Sequence, residues 1–193
     1  MLFVAIFSLA LGFLLNEEAC LNRVCRNLAY PHEGWLLINS DRGVLIIAAA
    51  CVFAFLKGCA AVHFLGPYYG ETWFLPSGLY FMGNVLAVKR VRGLFYTPWF
   101  ALLGVMYSGE LKVFQGVFTV VVVSALVTRN PWVGTRLWQP AFFLLVLLYA
   151  RLPEGLFWIG IIAAARTISG RQSPFTDKLI RYFGKISGWR VTT

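Results

Sequence analysis

The stretch that decides the fold runs Gly66-Pro67-Tyr68-Tyr69-Gly70-Glu71, then TWFLPSGLYFMGNVLAV from Thr72 to Val88, then Lys89-Arg90-Val91-Arg92-Gly93. A segment without Lys or Arg leads into an apolar run, and the run ends in three basic residues. A helix of about 20 apolar residues crosses the hydrocarbon of a bilayer. Lys and Arg collect in the short loops on the cytoplasmic side. Gly66–Glu71 is therefore expected outside and Lys89–Gly93 inside.

The same alternation continues in both directions. Seven apolar segments stand out: Met1–Leu15, Val44–Leu65, Thr72–Val88, Leu94–Tyr107, Val113–Val127, Leu137–Ala150 and Leu156–Ala165. Arg23, Arg26 and Arg42 lie between the first two, and Arg129 and Arg136 between the fifth and sixth. The neighbouring connections carry only Lys112 and only Arg151. With the N-terminus outside, all 17 basic residues except Lys57, Lys112 and Arg151 fall on the cytoplasmic side or at its edge. The expected fold is an all-α integral membrane protein, a polytopic bundle of about seven short transmembrane helices with the N-terminus out and the C-terminus in. Residues 1–168 form the bundle and 169–193 a cytoplasmic tail. Only the second segment clearly has full spanning length, so tilt or local thinning is expected elsewhere. Five or six spans with one re-entrant segment is the alternative.

Composition narrows the class. A chain that is 59% hydrophobic and 13% charged is far from an ordinary soluble domain. The net charge of +9 is spread over alternate loops instead of forming one patch, which argues for topology and against nucleic acid. The first segment lacks a basic start, and Glu17 and Glu18 crowd Asn16–Cys20, so an uncleaved first span is expected. Cys20, Cys25, Cys51 and Cys59 lack metal-binding spacing, and neither metal nor cofactor is expected.

Turn residues mark the ends of segments: Gly66–Pro67, Asn130–Pro131 and Leu152–Pro153. Pro98 and Pro140 are placed near the starts of their spans, where a missing N–H costs least. In the tail, Phe175, Leu179, Phe183 and Ile186 recur at helical spacing, and Lys178, Arg181 and Lys185 mark another face. Such a basic amphipathic helix lies on an anionic membrane surface.

No common catalytic motif is present. H-E-x-x-H, G-x-S-x-G, Walker A and G-x-G-x-x-G are all absent, and neither His32 nor His63 has an Asp five residues later. His63 and Asn84 are the uncharged polar candidates inside the membrane. Lys57, in Ala54-Phe55-Leu56-Lys57-Gly58, is a charge within an apolar span. It is expected to face the interior or to snorkel, either as a functional group or in an internal hydrogen bond. Lys89, Arg90, Arg92 and Gly93 form a cationic edge that could cradle a phosphate.

These elements resemble the bacterial acyl-phosphate:glycerol-3-phosphate acyltransferase family (PlsY type), of similar length, with seven spans, N-out and C-in. Leu56-Lys57-Gly58 matches its Leu-Lys-Gly, and Gly83-Asn84 followed by Lys89–Gly93 and Thr97 is similar to its Gly-His and Lys-Gly-Gly-Lys-Gly-Val-Ala-Thr motif. Thr128–Thr135 is similar to its turn before the sixth span. Two motifs depart. The small-residue phosphate loop is replaced by Arg26-Asn27-Leu28-Ala29-Tyr30-Pro31-His32-Glu33-Gly34-Trp35, and the His-x-x-Asn-Ile-x-Arg segment by Arg166–Arg171.

The resemblance implies the bacterial inner membrane, with membrane lipids and other integral subunits as partners. With two of three loops changed, the expectation is a protein without normal acyl transfer, acting as a structural or accessory subunit. The alternatives are an active acyltransferase of phospholipid synthesis, with Lys89 and Arg92 on the phosphate, and a small transporter or lipid-handling protein using Lys57 and His63.

Overall fold

A computed structural model describes residues 2–16, 41–91 and 97–169. The described residues are all-helical: α1 Leu2–Leu14, α2 Asp41–Leu65, α3 Phe74–Val91, α4 Thr97–Gly109, α5 Leu111–Thr128, α6 Pro131–Tyr149 and α7 Leu152–Ser169. Two short 3-10 turns, Gly66–Tyr68 and Gly70–Thr72, join α2 to α3. The tail expected in the cytoplasm (from residue 170), the stretch Arg26–Trp35 expected to replace a small-residue loop, Arg92 and Gly93 lie outside the described residues.

Prolines and glycines place most boundaries. Pro98 is the second residue of α4, Pro131 the first of α6 and Pro153 the second of α7, positions where no intrahelical N–H bond is lost. Helix α5 ends with Arg129 in the left-handed region at φ 50°. Its N–H donates to the Leu126 carbonyl at 3.2 Å, and Asn130 N–H to that of Ala125 at 3.1 Å, a Schellman closure. Pro140 differs from expectation. Helix α6 begins at Pro131, not near Leu137, and Pro140 stands inside it. The polar residues Thr135, Arg136 and Gln139 interrupt the apolar run without interrupting the helix.

Packing is strongest in three pairs, α1 with α3, α2 with α4, and α5 with α6. The first two pairs cross at glycines in the same register. A Cβ on Gly12 would stand 2.0 Å from the Tyr80 carbonyl oxygen, and one on Gly83 would stand 2.1 Å from that of Leu9. In the other pair, a Cβ on Gly58 would stand 2.1 Å from the Ala101 carbonyl oxygen and one on Gly104 2.0 Å from that of Phe55. Each glycine meets the carbonyl three residues ahead of its partner glycine. Such backbone-on-backbone contact is a common way for helices to associate where lipid removes the hydrophobic drive between them.

The interior holds Phe81, Leu102, Val105, Met106, Phe142, Val146, Trp158 and Ile162, all 3% exposed or less. The outside is apolar as well. Phe53, Phe64, Phe118, Val127, Leu144 and Leu148 are each more than half exposed. Among the described residues, two helical stretches, Ala48–Leu65 and Leu111–Thr128, are long and apolar enough to cross a membrane.

Candidate functional site: two polar clusters in an apolar bundle

The first cluster gathers at the end of α1. Asn16, Asn84 and Thr97 are all fully buried. The Asn16 side-chain amide donates to Asn84 Oδ1 at 3.2 Å and to Thr97 Oγ1 at 3.4 Å. Asn84 Nδ2 in turn donates to the Tyr80 carbonyl at 3.0 Å. A buried amide needs such partners, because an unmade bond leaves its full desolvation cost of about 1–3 kcal/mol. Beside this network Lys57 Nζ donates to the Leu15 carbonyl. Leu15 offers one of the carbonyls that a helix end leaves unused, and a cation there also complements the helix dipole.

Lys57 and Asn84, from two different helices, thus hold adjacent residues at the end of α1. His63 does not join them. It is exposed in the last turn of α2, with its ring edge-on to Phe64 at 6.4 Å. Lys89 is exposed two residues from the end of α3. The Arg90 side chain, Arg92, Gly93, Lys178, Arg181 and Lys185 lie outside what the structure describes.

The second cluster was not singled out from the sequence. It is built from the three connections expected outside, each of which carries one or two of the chain's eight acidic and 17 basic residues. Glu71 pairs with Arg151 at 2.7 Å, both side chains well exposed. The Arg151 guanidinium holds the Glu71 carboxyl below its ordinary value through its hydrogen bond and its charge. The Trp73 indole fills the notch left by Gly109, where a Cβ would stand 2.0 Å from the ring. It also packs against Trp158, with centroids 6.3 Å apart.

Glu154 lies in the first turn of α7, ahead of the apolar stretch from Leu156, and is 4% exposed. Its Oε1 and the Nε1 of the fully buried Trp158 are both buried without a hydrogen-bond partner. Burial pushes the Glu154 carboxyl up to about 7, and the Glu110 charge adds to the rise. The Trp158 N–H beside it and the more distant Arg151 offset part of this, though no well-formed hydrogen bond joins the indole to the carboxyl. Burial also raises Glu110, with Lys112 opposing. The signal in the sequence was the placement of Glu71, Glu110 and Glu154, one in each of three successive alternate connections.

Chemically, the first cluster is a set of satisfied structural bonds. The second contains a buried acid next to a buried donor. No family model matches the chain, and neither a curated protein nor a solved structure matches it.

Proposed function

We propose that this chain is a multi-pass membrane protein of the bacterial inner membrane. In this reading it has about seven spans, is built on the plan of the acyl-phosphate:glycerol-3-phosphate acyltransferases, and acts as an accessory subunit of a membrane complex without normal acyl transfer. The exposed apolar side chains on the helices support the membrane setting, since water would have to solvate Phe53, Phe64, Phe118 and Leu148 together. The alternating charge of the connections supports the topology.

The observation that carries the accessory role concerns two positions that fall on the acyltransferase pattern, Lys57 as a match and Asn84 where that pattern has His. Lys57 and Asn84 are both committed to holding the end of α1. A group that transfers an acyl chain must be aligned with its substrate and must have donors free for the developing charge. Asn84 is fully buried, and its amide is engaged on both its nitrogen and its oxygen.

The test uses the full-length protein purified into lipid nanodiscs. Incubated with acyl phosphate and glycerol 3-phosphate, it is expected to give no transfer above protein-free discs, while migrating with other membrane proteins after mild extraction. Transfer that disappears in Lys89→Ala would overturn the accessory role. Accessibility tags in Gly66–Glu71 and Lys89–Gly93 are expected on opposite sides of the membrane. Labelling of both from one side would overturn the topology.

A further inference from the structure

We infer that Glu154 is a proton-binding site whose acid form closes the seam between α7 and Trp73, just ahead of α3, and whose ionised form opens it. This goes beyond the accessory role and does not depend on it. The geometry is that of a buried acid with an unused oxygen, Oε1, facing a buried indole N–H that is also unused. The indole beside it packs against Trp73 and Phe157, and Val146 lies against the next residue, Gly155. An ionised carboxylate in such surroundings is costly, whereas a neutral carboxyl is tolerated and brings a donor of its own.

The charges facing the site from each packed element oppose one another, and those that favour the proton prevail. The α4–α5 turn presents Glu110, whose negative charge disfavours a second one at Glu154, and Lys112 lies two residues further on. The α6–α7 turn presents Arg151, but that guanidinium is engaged with Glu71 in solvent. On the α3 side the site meets Trp73, and α3 carries no acidic or basic residue before Lys89. Removing the proton therefore leaves a carboxylate with a like charge nearby, while Arg151, whose attraction offsets only part of the cost, is paired with Glu71. Water must then enter, and the Trp73–Trp158 contact loosens as it does.

The experiment is an infrared titration of the full-length protein in nanodiscs, following the C=O band of protonated carboxyls, with tryptophan fluorescence recorded on the same samples. The wild type is expected to lose one such band with a midpoint near 7, and the fluorescence to change with the same midpoint. Glu154→Gln is expected to lack both transitions while keeping its helical circular dichroism. Glu110→Gln is expected to keep the band and move its midpoint to lower pH. Titration of every carboxyl in the ordinary range near about pH 4, or a near-neutral band that survives in Glu154→Gln, would overturn the site. A band that titrates while the fluorescence stays constant would overturn the opening of the seam.

Discussion

Alanine at Gly83 puts two opposing effects against each other. In a helix, Gly→Ala is worth about 1 kcal/mol of added stability through backbone propensity. At Gly83, however, the new Cβ would stand 2.1 Å from the Leu9 carbonyl oxygen and 2.8 Å from the Phe13 nitrogen. Ordinary contact needs more than 3 Å, so α1 must retreat from α3 by about 1 Å along the whole crossing. Overpacking of this kind costs about 1–3 kcal/mol. The retreat also stretches the Asn16–Asn84 bond, which is already 3.2 Å long. The net expectation is a loss of up to about 2 kcal/mol, with the sign opposite to propensity. Gly160 is the internal control, because a Cβ there meets nothing within 4 Å. Gly160→Ala should gain up to about 1 kcal/mol. The assay is thermal unfolding of both variants in the same detergent, followed by circular dichroism. A Gly83→Ala midpoint at or above that of Gly160→Ala would refute the close crossing.

Four further outcomes are expected. Glu154 has a folded value of about 7 against 4.5. The unfolded chain therefore releases this proton first, and stability falls as pH rises from about 4.5 to about 7, by about 3 kcal/mol in all. The midpoint of thermal unfolding across this window should flatten in Glu154→Gln. Arg129→Gly removes a left-handed non-glycine residue at φ 50° and should raise the unfolding midpoint by an amount worth about 1 kcal/mol; a lower midpoint would count against the Schellman closure. Asn84→Leu leaves the buried Asn16 amide short of its partner and should cost about 1–3 kcal/mol, read by the same melt. Glu71→Gln breaks an ion pair exposed to solvent and should leave the midpoint unchanged.

What the sequence disclosed follows from how local each signal is. Asn130–Pro131, Pro98 and Leu152–Pro153 marked real helix boundaries because proline acts on its own backbone and on the residue before it. Helix α6 starts ahead of its apolar run, because Thr135, Arg136 and Gln139 turn through a helix as readily as they leave one. The glycine crossings were illegible for a different reason. Gly12, Gly58, Gly83 and Gly104 look alike in a list of residues, and only a second helix makes each a point of contact. Asn16 read as part of a charged stretch after the first segment, yet it is fully buried, because Asn84 and Thr97 come to it from 68 and 81 residues away. The Glu110–Glu154 proximity depends likewise on which turns end up side by side.

The α5–α6 hairpin spends most of its contact on itself, with less to α4 and α7, and joins the core through Val113, Val117, Phe142 and Val146. It is therefore the replaceable part of the architecture. Its outward residues, such as Phe118, Leu144 and Leu148, are free to drift in sequence so long as they stay greasy, without disturbing the clasped helices α1 to α4. Divergence among relatives of this chain should accumulate there first, and the four crossing glycines should be the slowest to change.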